Sequence, residues 1–408
     1  MLKRRISLIL AVVVIAVLVI VATASAEPGV TSEDLKYIMP LSQVKAGMKG
    51  YGLTVFKGTN IEKFDVEVIG LLRKANNGKD LILVRLSGGP VTERGANIMQ
   101  GMSGSPVYVN GKIIGAVAYG PASFAKEPIG MLTPIEHMLE SLDPNLPERP
   151  SGMSSKVASL DTPVKIGDDT VSKVEIRRFG ASGTAPKGTF VMTPLMTPLM
   201  VSGVSNRNMG KLAEILEPFG LVPMAGPGAK ADPVDVDLVP GSAIGVSLVT
   251  GDIDMTGVGT VTYRRGSKLV AFGHPMMEIG PIDAPMSTAY VLESFPSYNV
   301  SFKLASPMKV VGRIFQDRPW SVGGEIGVKP QMIPVTIDVD DKAIGRKKTL
   351  HVNIINHPLL VPELLMHVAG TAITEVHGIP GDATAYVDLV VEADQVGKIE
   401  RKNVFFNP

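Results

Sequence analysis

Residues 101–106 read Gly101-Met102-Ser103-Gly104-Ser105-Pro106. Two apolar runs follow at once, Val107-Tyr108-Val109 and Lys112-Ile113-Ile114-Gly115-Ala116-Val117-Ala118-Tyr119, joined by Asn110-Gly111. An Asn-Gly pair between two such runs signals a two-residue type I′ turn, because both central positions need φ > 0. The stretch predicts a β-hairpin behind a tight, glycine-flanked turn that carries Ser103. Gly101 lets the backbone of that turn point its N–H groups inward.

The neighbouring segments extend the β pattern. Residues 52–56, 64–72 and 81–86 read as strands, and Phe64–Gly70 alternates, so one of its faces is expected to be wet. Thr133 and Pro134 read as the cap and first turn of a short helix running to Leu142. The proline-rich stretch 143–155 reads as a boundary. Beyond it come strand-like pieces, a doubled Met-Thr-Pro-Leu at 192–199, a helix from Asn208 to Pro218, and a loop at 225–233. Strands resume from 234, with His274 at the end of the run Lys268–Gly273 and a turn-dense loop at 278–286 behind it. The last part, 331–408, alternates again around a helix near Pro362–Ala372 and reads as a small α+β appendage.

Composition narrows the class. Lys3, Arg4 and Arg5 precede an apolar run from Ile6 to Ala22, and Ala24-Ser25-Ala26 is a small-residue cleavage site, the pattern of a secretory signal over 1–26. Retained uncleaved, the same run would serve as an N-terminal membrane anchor. The expected location is extracytoplasmic, in the periplasm or cell envelope. The chain has no cysteine, so its core must hold it without disulfides. Its net charge of +1 becomes −2 once the three signal-region cations are removed, which argues against nucleic acid as a partner. With 43 glycines and 31 prolines, the 408-residue chain suits a β-rich fold with many turns.

The chemistry centres on Ser103. A serine hydroxyl becomes a nucleophile when a base takes its proton, so an imidazole is needed within reach. Of six histidines, His137 lies on the short helix and reads as a surface residue. His351, His357, His367 and His377 match no metal-ligand spacing, so no metal or cofactor is expected. His274 stands out because Gly273 and Pro275 pin it in a turn at a strand end. A serine turn of this form can also offer backbone donors, here the N–H groups of Gly101 and Ser103, to an oxyanion. For an orienting acid the candidates are Asp283, Glu278, Asp80 and Asp65. Asp283, on the loop of His274 and flanked by prolines, ranks first. Asp80 reads as a turn residue and Asp65 as part of a solvated face.

A Gly-Asp-Ser-Gly-Gly-Pro turn ahead of a hairpin occurs in chymotrypsin-like proteases. Residues 45–137 resemble more closely the serine-bearing half of the SpoIVB peptidase family, secreted bacterial serine endopeptidases. The resemblance rests on Glu62-Lys63-Phe64-Asp65-Val66-Glu67 and on the 101–106 turn. A second similar stretch covers 241–280, through Gly257-Val258-Gly259-Thr260-Val261-Thr262-Tyr263 to Gly273-His274, where the family carries its general base. The resemblance implies a mostly β, two-barrel, trypsin-like architecture. It assigns 27–150 to a serine-bearing half, 151–233 to a connector, 234–330 to a histidine-bearing half and 331–408 to the appendage. It implies an endopeptidase acting on protein or peptide substrates, with Ser103 as nucleophile and His274 as base.

Two departures accompany it. The serine segment precedes the histidine segment here, the reverse of the family, although triads occur in several chain orders. The family's aspartate position, fifteen residues before the serine, holds Gly88. That vacancy supports a competing expectation, a catalytically weak or inactive peptidase-like barrel acting as an envelope binding or scaffold module.

Overall fold

The computed structural model describes residues 29–407 except 94, 96, 123–126, 147–155, 178–180, 182, 227–234, 298–299, 379–382 and 395. The signal and anchor readings of 1–26 therefore lie outside the described residues. Strand dominates, as period-2 patterning and the wealth of turn formers imply.

Six strands come first: β1 (Lys49–Val55), β2 (Ile61–Asn76), β3 (Lys79–Ser87), β4 (Pro106–Val109), β5 (Lys112–Pro121) and β6 (Ile129–Pro134). They pair in the order β1-β4-β5-β6-β3-β2, and β1 pairs with β2 again, so hydrogen bonding closes them into a ring. Along Phe64–Gly70 the buried residues alternate with exposed or half-buried ones, as the sequence predicts. Phe64, Val66, Val68, Val84, Val107 and Val117 fill the interior. Asn110 and Gly111 have φ of 51° and 75°, the two left-handed positions that the β4–β5 turn demands.

A second ring follows the same plan. It contains β12 (Ala243–Gly251), β13 (Asp254–Arg265), β14 (Lys268–Ala271), β15 (Gly280–Phe295), β16 (Phe302–Arg318) and β17 (Ser321–Ile326). Their order is β13-β14-β17-β16-β15-β12, closed by a β12–β13 pairing. Two six-stranded closures fit the trypsin-like expectation, and closure removes the sheet edges that would otherwise invite aggregation.

The intervening segment feeds both sheets. β7 (Lys156–Ile166), β8 (Asp169–Ile176) and β9 (Thr189–Pro194) extend the first. β10 (Thr197–Ser202) and β11 (Leu221–Ala225) extend the second, with β11 at its edge. The helix between them spans Asn206–Leu216 and buries Leu212 and Leu216. Beyond the second ring, β18 (Met332–Asp341) and β19 (Arg346–Ile355) continue the ten-stranded sheet through β12, and the helix Val361–His377 packs on them. β20 (Ala383–Ala393) and β21 (Gly397–Asn407) form a separate hairpin.

Side chains and backbone from both rings meet along one seam. The Thr260 N–H donates to the Ser103 carbonyl at 2.8 Å, and Gly58 and Val291 exchange two backbone hydrogen bonds. Ile113, Ala116, Ile135 and Met138 of the first half share a core cluster with Tyr263 and Val270 of the second. This seam corrects the reading of residues 133–142. Thr133 and Pro134 end β6, and the Thr133 hydroxyl donates to the Gly273 carbonyl at 2.5 Å instead of capping a helix. The short helix Ile135–Met138 continues as a 3-10 turn to Leu142 and is pressed against the second ring, where the Ser321 hydroxyl donates to the Met138 carbonyl. His137 is consequently buried beside Trp320, with ring centroids 6.1 Å apart, and is no surface residue.

Candidate active site

The turn before β4 sits on the seam, and its carbonyls are all engaged. The Met102 carbonyl accepts from the Ser105 N–H at 2.9 Å and from the Ser105 hydroxyl at 2.6 Å. The Gly101 and Gly104 carbonyls accept from the hydroxyls of Thr260 (3.1 Å) and Thr262 (2.7 Å) on β13. Both glycines have φ of +90°, where a side chain would be strained. Gly104 also has no room for one: a Cβ there would stand 2.0 Å from the Thr260 carbonyl oxygen and 2.4 Å from the Phe272 nitrogen. Among the described residues, no acceptor takes the N–H of Gly101 or of Ser103. Those are the two donors assigned to an oxyanion site in the sequence.

His274 stands two residues beyond Phe272, on a turn strained in the same sense. Phe272 and Gly273 have φ of 70° and 72°. A Cβ on Gly273 would lie 3.2 Å from the Val117 carbonyl oxygen, which accepts the Gly104 N–H at 2.8 Å. One carbonyl thus touches both the serine turn and the histidine turn. The imidazole is buried, and its Nδ1 lies 2.7 Å from the Pro275 carbonyl oxygen. A carbonyl can only accept, so Nδ1 carries the proton and Nε2 holds a lone pair. Burial pushes the ring pKa down to about 4, so it is neutral at neutral pH. Among the described residues neither Nε2 nor the buried Ser103 Oγ has a hydrogen-bond partner, so the two turns touch without a hydrogen bond between these atoms.

Three of the four candidate acids, Asp283, Asp80 and Asp65, lie elsewhere. Asp283 is on strand β15, which begins already at Gly280, and not on the loop of His274. Its carboxylate accepts from the Gln331 N–H at 2.8 Å and faces Arg313 at 3.5 Å. Asp80 stands on β3 and not in the turn at 77–78 that precedes it, and it accepts from Arg73 and from the Lys74 N–H. Asp65 is exposed and lies beside Gly88, whose Cβ would fall 2.8 Å from Oδ2. The hydrogen-bond partner of His274 Nδ1 is a main-chain carbonyl, that of Pro275.

Two buried charged residues carry no local sequence signal. Asp317 on β16 accepts from the N–H groups of Met276 and Met277, each at 2.8 Å, and so ties down the chain just after His274. Burial raises its pKa to about 6. Lys303, also on β16, lies against Gly101 from Cβ to Cδ and donates to the Thr54 hydroxyl at 2.6 Å. Both look from sequence like ordinary strand charges, and packing against segments distant in the chain is what buries them. Among the described residues no cluster of side chains is arranged to hold a metal ion.

An open, mostly apolar cleft of about 520 Å³ adjoins the serine turn at Gln100 and is walled by Met196, Met224, Phe295, Phe302 and Leu304. No curated protein and no solved structure matches the chain. A family comparison does match, and it covers the serine turn but ends before His274. Over residues 23–139 the chain matches the SpoIVB peptidase S55 family, so the half that carries Ser103 is similar to peptidases of that family.

Proposed function

We propose that this protein is a serine endopeptidase in which Ser103 attacks the scissile carbonyl and His274 Nε2 takes its proton. The observation that carries this reading is the pair of buried, unpartnered atoms, Ser103 Oγ and His274 Nε2, on two turns that pack against each other. A buried polar atom without a partner costs about 1–3 kcal/mol, and one on each of two touching turns supports a site that a reacting group completes. The free N–H groups of Gly101 and Ser103 are suited to receive the oxyanion of the tetrahedral intermediate.

The Pro275 carbonyl takes the place of a triad acid. It fixes the tautomer and the ring plane as an aspartate does, but it brings no negative charge to an imidazolium. The dyad is therefore expected to turn over more slowly than a full triad, since the charge of the acid is worth several orders of magnitude in rate. The apolar cleft beside Gln100, with the edge strand β11 along one wall, suits an extended peptide with bulky apolar side chains. The leader-like residues 1–26 support action outside the cytoplasm, on protein substrates of the envelope.

Labelling with a fluorophosphonate, which forms a covalent bond to an activated serine, tests the proposal. Labelling at Ser103, lost in Ser103→Ala and in His274→Ala with folding intact, is the expected result. A folded wild-type protein that stays unlabelled would favour the scaffold alternative.

A further inference from the structure

The three peptide planes that lead into Ser103 are held by their carbonyls, and two of the three holds trace to one residue. The Lys303 N–H donates to the Gln100 carbonyl at 3.0 Å, which fixes the plane bearing the Gly101 N–H. Its side chain then runs along Gly101 and ends on the Thr54 hydroxyl. An ammonium only donates, so it takes up a lone pair of Thr54 and leaves the Thr54 proton to face the Thr260 oxygen, 3.5 Å away. The Thr260 proton is given to the Gly101 carbonyl. The third plane, bearing the Ser103 N–H, is fixed by the double hydrogen bond of Ser105 to Met102.

Lys303 itself is unusual. It is 1 % exposed, and no carboxylate lies within ion-pair distance of it among the described residues. A buried, unpaired ammonium is costly, and a hydrophobic residue of similar length would fill the same space without that cost. Its surroundings are Thr54 of β1, Phe56 just beyond that strand and the Gly101 turn, and the charged group that acts on it is Glu62 of β2, from a distance.

We infer that Lys303 is the positioning residue of the oxyanion site, orienting the Gly101 N–H through Gln100 and Gly101 and placing a positive charge behind it. The inference rests on the reading of Ser103 as nucleophile. In the attack step, the Ser103 Oγ–carbon bond forms as the carbonyl π pair moves onto oxygen. The proton passes to His274 Nε2, and Lys303 stays protonated throughout. Its field acts on the charge that develops on the oxygen and leaves ground-state binding alone.

The test is fluorophosphonate inactivation of the full chain, resolved into KI and the maximal rate kinact. Lys303→Met keeps the length and removes the charge. The expected result is a kinact about 10- to 100-fold lower with KI nearly unchanged and a melting temperature no lower than wild type. Burial depresses the Lys303 pKa to about 7. The wild-type rate should accordingly decline above that pH, and Lys303→Met should lack this limb. Thr260→Val, which removes the hydroxyl on the Gly101 carbonyl, should also lower kinact and serves if Lys303→Met does not fold. Wild-type kinact in these variants, with Ser103 still labelled, would overturn the role of Lys303 and leave the nucleophile standing. A wild-type protein that does not label at Ser103 would overturn both.

Discussion

Gly104, the residue after Ser103, packs directly on the backbone of Phe272, two residues before His274: a Cβ on Gly104 would come within 2.4 Å of the Phe272 nitrogen. The two turns are in contact because one of them has no side chain at this point. Gly104→Ala is expected to force them apart and to abolish fluorophosphonate labelling, with a fall in melting temperature. Gly111→Ala is the control. It has a similar positive φ of 75° but nothing within 4 Å of the new methyl, so it should lose about 1 kcal/mol and keep its labelling.

Ser105→Ala separates the two serines of the turn. Ser105 Oγ is spent on the Met102 carbonyl, whereas Ser103 Oγ is unpartnered. The Ser105 variant should lose about 1 kcal/mol in a denaturant melt and still label at Ser103, while Ser103→Ala should melt no lower than wild type and not label.

Asp317→Asn tests the anchor of the histidine turn. The carboxylate accepts the Met276 N–H on one oxygen and those of Met277 and, at 3.5 Å, Ile279 on the other, and an amide can accept on one oxygen alone. One buried N–H is left facing an NH₂ group, so the variant should be about 1–3 kcal/mol less stable and label more slowly. Asp283→Asn should leave the labelling rate within about twofold of wild type, because the Asp283 carboxylate is engaged with Gln331 and Arg313 and not with the imidazole.

The pH dependence of stability follows from two buried histidines. His137 and His274 are both held down to about 4 by burial, against an ordinary value of 6.5. Between those limits the unfolded chain binds protons that the folded chain refuses, so stability falls as pH drops from 6.5 towards 4, by roughly 3 kcal/mol for each group. Asp317, raised to about 6, opposes this below pH 6, since its folded form takes a proton that the unfolded form releases. His137→Phe should flatten the decline between pH 6.5 and 4 in urea unfolding. An unchanged slope would mean that the ring of His137 protonates freely in the fold. The labelling rate should in turn persist well below pH 6, because His274 Nε2 stays unprotonated there.

The local grammar of the chain was enough for the hairpin behind Ser103 and for the alternating strand Phe64–Gly70. These features are set by neighbours in sequence: an Asn-Gly pair needs a I′ turn, a period of two needs a half-buried strand, and glycine alone relieves a left-handed turn. Contacts between residues far apart in the chain decided the rest. The burial of His137 against Trp320, the transfer of Thr133 from a helix cap to the Gly273 carbonyl, and the engagement of Asp283 away from His274 all depend on how the two rings meet. So do Lys303 and Asp317. Each is one charge on a strand whose sequence gives no sign of it, and each is buried against a turn about 40 residues away in Asp317 or 200 in Lys303. A strand's period reports which of its faces is covered, but the covering partner is chosen by ring closure and by the packing of one ring on the other, which no stretch of local sequence encodes.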